Sequence, residues 1–200
     1  VVVLGASGKL TTQIESGAPF DAFLSADMKY PRQLYADSFA VDSPKIYSRG
    51  TLVLWTLRDA SLKKGPGALL DGGFNKIAVA NPSLAPYGEQ SLNCMKYFGL
   101  YDSLSAKLVF GESISQVNTF LLSGAADAAF TAKSIVTAPE NKDKGHWIEL
   151  DPKSYTPIDQ GAVILRYGNQ HHGKAVREFY RYLFSKRAKK ILKKYGYLTD

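Results

Sequence analysis

The residues best suited to chemistry are few, and most of them lie where a turn leads into a helix. Gly5-Ala6-Ser7-Gly8 follows a β-branched run at residues 1–4 and precedes a helical stretch. Such a turn aims backbone N–H groups and the positive end of a helix at an anion. Ser7 adds a hydroxyl to its N–H, and Gly8 completes the turn. Residues 81–88, Asn-Pro-Ser-Leu-Ala-Pro-Tyr-Gly, join a strand to a helix and put Pro86, Tyr87 and Gly88 at the helix start. Residues 111–115, Gly-Glu-Ser-Ile-Ser, do the same further on. Each turn leaves N–H donors at a helix N-terminus. Singly, each is an ordinary loop capped by a serine such as Ser113 or Ser115. Three in one chain suggest helix ends converging on one small oxyanion.

Other chemistry finds less support. A Walker A loop would need glycine at Val3 and Ser or Thr at Leu10, so it fails at both ends. A dinucleotide fingerprint fits Gly5 and Gly8 but meets Thr11 where a third glycine belongs, and no acidic residue follows the second strand in the ribose position. Tyr182 and Lys186 form a Y-x-x-x-K pattern of the kind short-chain dehydrogenases use, inside a basic helical tract where both residue types are expected anyway. No G-x-S-x-G elbow marks a nucleophile. His146, His171 and His172 read as surface residues without carboxylates at ligand spacing, so no metal site is expected. Glu112 has no carboxylate partner for acid–base work. The single cysteine, Cys94, excludes an internal disulfide and a cysteine-based zinc site.

The elements that position these residues alternate. Strands are expected at 1–4, 21–25, 46–57 (kinked at Arg49-Gly50), 76–80, 107–110, 126–130, 146–150 and 161–165. Helices are expected at 10–16, 26–37, 87–99 and 115–123, with a basic helix pair at the end. This alternation calls for an α/β fold with mostly parallel sheets. The chain has 200 residues, 45% hydrophobic and 22% charged, which is globular composition and excludes disordered and fibrous classes. No apolar run reaches membrane-spanning length. The formal net charge is +7, with much of the excess between Arg177 and Lys194. Apolar residues at helical spacing there make an amphipathic helix pair with a solvated basic face, and no aromatic–basic platform points to nucleic acid.

Several stretches carry a resemblance. SGKLTTQIESGAPFDAFLSAD (residues 7–27), RGTLVLWT (49–56), IAVANPSLAPYG (77–88), SGAADAAF (123–130) and YTPIDQGAVIL (155–165) occur in that order over nearly the whole chain. With the ending I-x-x-x-Y-G-Y at 191–197, they resemble the periplasmic molybdate-binding proteins of bacterial ABC transporters. The resemblance implies a two-lobed type II periplasmic binding protein fold. Lobe I would take residues 1–50 and 160–200, and lobe II residues 51–159. The oxyanion, molybdate or tungstate, would sit in the interlobe cleft on hydroxyls and backbone N–H groups, with no cofactor, metal or catalytic residue. Carried over, the ligand residues are Ser7 with Gly8, Tyr87, and the backbone of Ile114. Thr131 stands where some members have a tyrosine, and the phenol of Tyr87 would compensate.

The resemblance further implies a monomeric periplasmic protein that delivers its ligand to a membrane ABC permease. Family members begin with a further strand and helix, so lobe I is expected to be N-terminally incomplete, and residues 1–9 do not read as a signal peptide. Two other readings are an NAD(P)-binding oxidoreductase using the turn between Gly5 and Gly8, and the ligand-sensing domain of a regulator.

Overall fold

A computed structural model describes residues 1–199. In chain order its elements are α1 (Ser7–Glu15), β1 (Ala22–Ser25), α2 (Lys29–Ala36), β2 (Lys45–Gly50), β3 (Leu52–Thr56), β4 (Ile77–Ala80), α3 (Pro86–Tyr97), α4 (Tyr101–Leu104), β5 (Leu108–Gly111), α5 (Ile114–Leu122), β6 (Ala128–Ala132), α6 (Lys133–Val136), β7 (His146–Glu149), β8 (Ile158–Ile164), α7 (Arg166–Leu183) and α8 (Lys186–Lys194). The chain divides into two units. One holds Ser7–Gly50 and the chain from Ile158 onward, around a three-stranded sheet. The other holds Val1–Ala6 and Thr51–Pro157, around a five-stranded sheet. The single strand expected at 46–57 is therefore two strands. Thr51, between them, is where the chain passes from one sheet to the other.

In the three-stranded unit β8 is central and antiparallel to both β1 and β2. Its side chains alternate between two faces, as a pleated strand requires. Val163 meets Ile14, Phe23 and Leu34 under α1 and α2, while Ala162 and Ile164 meet Val176, Tyr180 and Leu183 of α7. Leu34 is fully buried, and truncating such a side chain to alanine costs about 2–5 kcal/mol. Gly161 is required by packing: a Cβ there would stand 2.8 Å from the Asp27 carbonyl oxygen and the same distance from Pro31.

The five-stranded sheet runs β5-β4-β6-β3-β7. β4 is parallel to β5 and β6, whereas β3 is antiparallel to β6 and β7. Strands β3, β4 and β6 are buried along their whole length, which explains sequences that are apolar except for Thr56 and Thr131. Val53, Trp55, Ala78, Ala80 and Ala129 form a face covered by Val117 and Leu121 of α5 and by Val136 of α6.

Three expectations need correction. The sheets are not mostly parallel, since among the described residues only the β4–β5 and β4–β6 pairings run parallel. Strand sense is set by which distant segments pair, and alternation along the chain does not encode it. Residues 1–4 form no strand and are exposed. A β-branched run becomes a strand only through cross-strand partners, and among the described residues it has none. Residues 1–6 also group with Thr51–Pro157, where residues 1–50 had been expected to stand together.

Candidate functional site

In the three-stranded unit the candidate residues open α1. Ser7 is 6% exposed, and its Oγ accepts a hydrogen bond from the Ala26 N–H at 3.1 Å. A hydroxyl has one proton and two lone pairs, so this contact orients the group and leaves its proton to donate elsewhere. Thr11 Oγ1 donates to the Ser7 carbonyl and Thr12 Oγ1 to that of Gly8, which fixes the first turn from behind. The loop after β1 is held as well. Ser25 Oγ donates to Asp27 Oδ1, which also accepts from the Tyr30 N–H. The N–H groups of this first turn have no intrahelical acceptor and carry the positive end of the helix dipole.

In the five-stranded unit, α3 and α5 both begin at the carboxyl ends of parallel strands, the place where open α/β sheets bind ligands. The two loops are tied together, since the Asn81 N–H donates to the Gly111 carbonyl at 2.7 Å. Pro86 opens α3 with its preset φ and no N–H. Gly88 permits the close seat of that helix: a Cβ would lie 2.1 Å from the Ala80 carbonyl oxygen, at the end of β4. Tyr87 is 5% exposed in this first turn, and its carbonyl accepts from Ser91 Oγ. Ser113 caps α5 by accepting from the Gln116 N–H, while Gln116 Oε1 accepts from the Glu112 N–H. The Ile114 N–H follows the cap directly and precedes the first intrahelical bonds.

Thr131 belongs to the same strand ends. Ile77 and Ala78 pair with Ala128 and Ala129, and this register continued sets Thr131 beside Ala80. It is fully buried, and its Oγ1 donates to Asn118 Oδ1 at 2.7 Å. Asn118, 7% exposed, lies one turn past Ile114 on α5. Sequence reading missed it, because an asparagine among the other polar residues of α5 has no spacing signal of its own. The structure thus places Tyr87, Ile114 and Thr131 at the carboxyl ends of the parallel strands β4, β5 and β6. Ser7 and Gly8 form a separate donor end in the other unit.

Competing chemistry loses its geometry. Residues 1–4 form no strand ahead of the turn between Gly5 and Gly8, so the described residues do not form the strand–turn–helix of a dinucleotide site there. Tyr182 lies in the last turn of α7 and Lys186 begins α8, so they do not share a helix face. Burial pushes the Cys94 thiol up in pKa, against a smaller opposite effect from the Ser154 hydroxyl, and disfavours a thiolate. Among the described residues, no three or more His, Cys, Asp or Glu stand close enough to hold a metal ion. No helix among them is long and apolar enough to cross a membrane.

Two α/β units whose helix starts offer amides and hydroxyls define a solute binder, and the chain belongs to the bacterial extracellular solute-binding proteins, whose family pattern matches residues 1–198. Solute binding, not catalysis, characterises that family. Within it, the chain is 38% identical over 197 residues to the molybdate-binding protein ModA of Rhodobacter capsulatus, covering 98% of this chain and 76% of that one. It is 32% identical to ModA of Azotobacter vinelandii, covering 98% and 78%. The solved periplasmic molybdate-binding protein of Azotobacter vinelandii superimposes with a TM-score of 0.91 at 33% identity, over all of this chain and 87% of that one. The fold is that of these periplasmic binding proteins.

Proposed function

We propose that this chain binds molybdate, with tungstate as an alternative guest, and delivers it to an ABC permease from the periplasm, acting as a monomer. The observation that carries this reading is the identity to molybdate-binding proteins along 98% of the chain, together with donor-rich helix starts where the resemblance puts ligands. Ser7 donates through its hydroxyl, Gly8 and Ile114 through backbone N–H groups, and Tyr87 through its phenol or backbone. Thr131 acts on the anion through Asn118, whose Oδ1 it engages, leaving the Nδ2 hydrogens to donate.

The chemistry suits the guest. Molybdate and tungstate are dianions at neutral pH and carry no proton, so donors alone satisfy their oxygens. A hydrogen phosphate would bring an O–H needing an acceptor, and leaving it unpaired costs about 1–3 kcal/mol. Hydrogen bonds to a charged group are worth about 1.5–3 kcal/mol each, so about six of them, offset by desolvation, reach nanomolar affinity near −12 kcal/mol. Sulfate has the same charge and shape with shorter bonds, and rejecting it falls to cavity size.

A thermal-shift panel of molybdate, tungstate, sulfate, phosphate and NADPH tests the reading. A ligand at about 1,000 times its dissociation constant adds about 4 kcal/mol, so molybdate and tungstate raise the midpoint strongly and the other three do not. A midpoint moved only by NADPH or by none of the five overturns the proposal.

A further inference from the structure

The net charge of this chain is concentrated in one place. Residues 166–194, the α7–α8 segment, carry ten Lys and Arg against the single acid Glu178, a net of +9. The rest of the chain has fifteen Lys and Arg against seventeen Asp and Glu, a net of −2. Helix α8, KRAKKILKK, is the dense end of the segment, and no acidic residue lies between Glu178 and the last residue of the chain.

This helix breaks the local rules of helix design. Lys186 and Arg187 sit in its first turn, against the positive end of the dipole, and its first turn has no acidic residue. Lys186 and Lys190, Lys189 and Lys193, and Lys190 and Lys194 are like charges one turn apart, which destabilises a helix. The side chains of Lys186, Arg187, Lys190, Lys193 and Lys194 have no ion pair or hydrogen-bond partner among the described residues. Such violations of local consistency collect at functional surfaces. The helix is nonetheless anchored: Ser185 caps it by accepting from the Ala188 N–H, Ala188 is 5% exposed and Leu192 is half-buried. At about 100° per residue, this anchoring turns Lys186, Arg187, Lys190, Lys193 and Lys194 outward as one arc. Ile191, 46% exposed, lies at its border beside Arg187 and Lys194.

We propose that this arc docks the protein on an anionic lipid surface. The composition fits diffuse phosphate charge: four of the five cations of the arc are lysine, which protein–protein interfaces avoid while they enrich arginine. An exposed isoleucine bordering a lysine-rich face matches a helix lying in the headgroup layer. The family is extracellular, where lipid headgroups are the abundant polyanion and nucleic acid is not. The proposal rests on family membership and not on which solute the chain binds. Docking at the bilayer would confine the protein to the surface and relieve the mutual repulsion along α8.

The experiment measures partition of the whole chain onto vesicles of equal parts phosphatidylglycerol and phosphatidylcholine, at low and high salt, against pure phosphatidylcholine. Binding to the mixed vesicles, released by salt, is expected, with none to the pure ones. Each cation near such a surface contributes roughly fivefold, so the double variant Lys190→Glu with Lys194→Glu weakens partition by roughly 25-fold or more. Ile191→Ser weakens it by roughly tenfold. Both variants alter exposed residues, and an unchanged melting midpoint verifies their fold. Absent binding to mixed vesicles, equal binding to pure phosphatidylcholine, or an unaffected double variant overturns the proposal. So does retention on duplex DNA at a salt concentration where vesicles are not bound. Vesicle binding by a chain whose midpoint molybdate does not move supports this docking while removing the proposed function.

Discussion

Ser7 and Thr131 are both buried hydroxyls at element ends, one in each unit, yet the fold spends them oppositely. Ser7 accepts from the Ala26 N–H and keeps its proton, while Thr131 gives its proton to Asn118. An anion can use only a proton. On the proposed function, Ser7, whose lone pair the protein engages, is left able to donate to the anion, and Thr131, whose hydrogen the protein takes, is left to position Asn118. Residue type alone would rank the two alike.

The largest expected effect breaks the pair on the Ser7 side. Ser7→Ala removes one charge-assisted bond, and at about 1.5–3 kcal/mol molybdate affinity falls at least about tenfold. The same change strips the Ala26 N–H of its acceptor, so the unliganded protein also melts lower. Calorimetry that finds the parent affinity in Ser7→Ala removes Ser7 from the donor set and erases the contrast.

Thr131→Val is the complementary change, smaller on affinity. It is close in shape but leaves Asn118 Oδ1 without its donor in a buried place, at a cost of about 1–3 kcal/mol in stability. Molybdate affinity is expected to stay within about threefold, because no bond to the anion itself is lost. A loss matching that of Ser7→Ala would show that Thr131 reaches the ligand directly.

The sequence made this distinction only half visible, for a physical reason. The helix starts near Tyr87 and Ile114 were legible because a capping serine, Pro86 and Gly88 are local signals that act within one turn, whereas α1 opens at Ser7, three residues ahead of the expected start at Leu10. The α/β class was legible from alternating apolar runs. What escaped depends on partners far away in the chain. Asn118 meets Thr131 across thirteen residues, the β3 pairings run antiparallel to remote strands, and residues 1–4 lack the neighbour that would make them a strand. The Tyr182–Lys186 pattern dissolved because the chain turns between α7 and α8, at Ser185.

The smallest expected effect sharpens the contrast through Asp127, which anchors the start of Thr131's strand. Its carboxylate accepts from the Asn75 and Lys76 N–H groups at 2.7 and 2.9 Å and pairs with Arg58. Burial pushes its pKa up, but those N–H groups and the guanidinium outweigh it and hold the carboxyl below its ordinary value. A carboxylate lowered on folding stabilises the protein above its unfolded pKa of about 3.9, and that stability disappears as pH falls through the folded value. Asp127→Asn is therefore expected to melt below the parent at neutral pH, and the gap should close as the solution is acidified below about pH 4. Molybdate affinity at neutral pH should move less than in Ser7→Ala, since β6 keeps its pairing to β3 along its length. Melting curves whose gap stays constant with pH would deny the charge of Asp127 this role. An affinity loss equal to that of Ser7→Ala would mean that the donors at the carboxyl ends of the parallel strands depend on this anchor and not only on their own helix starts.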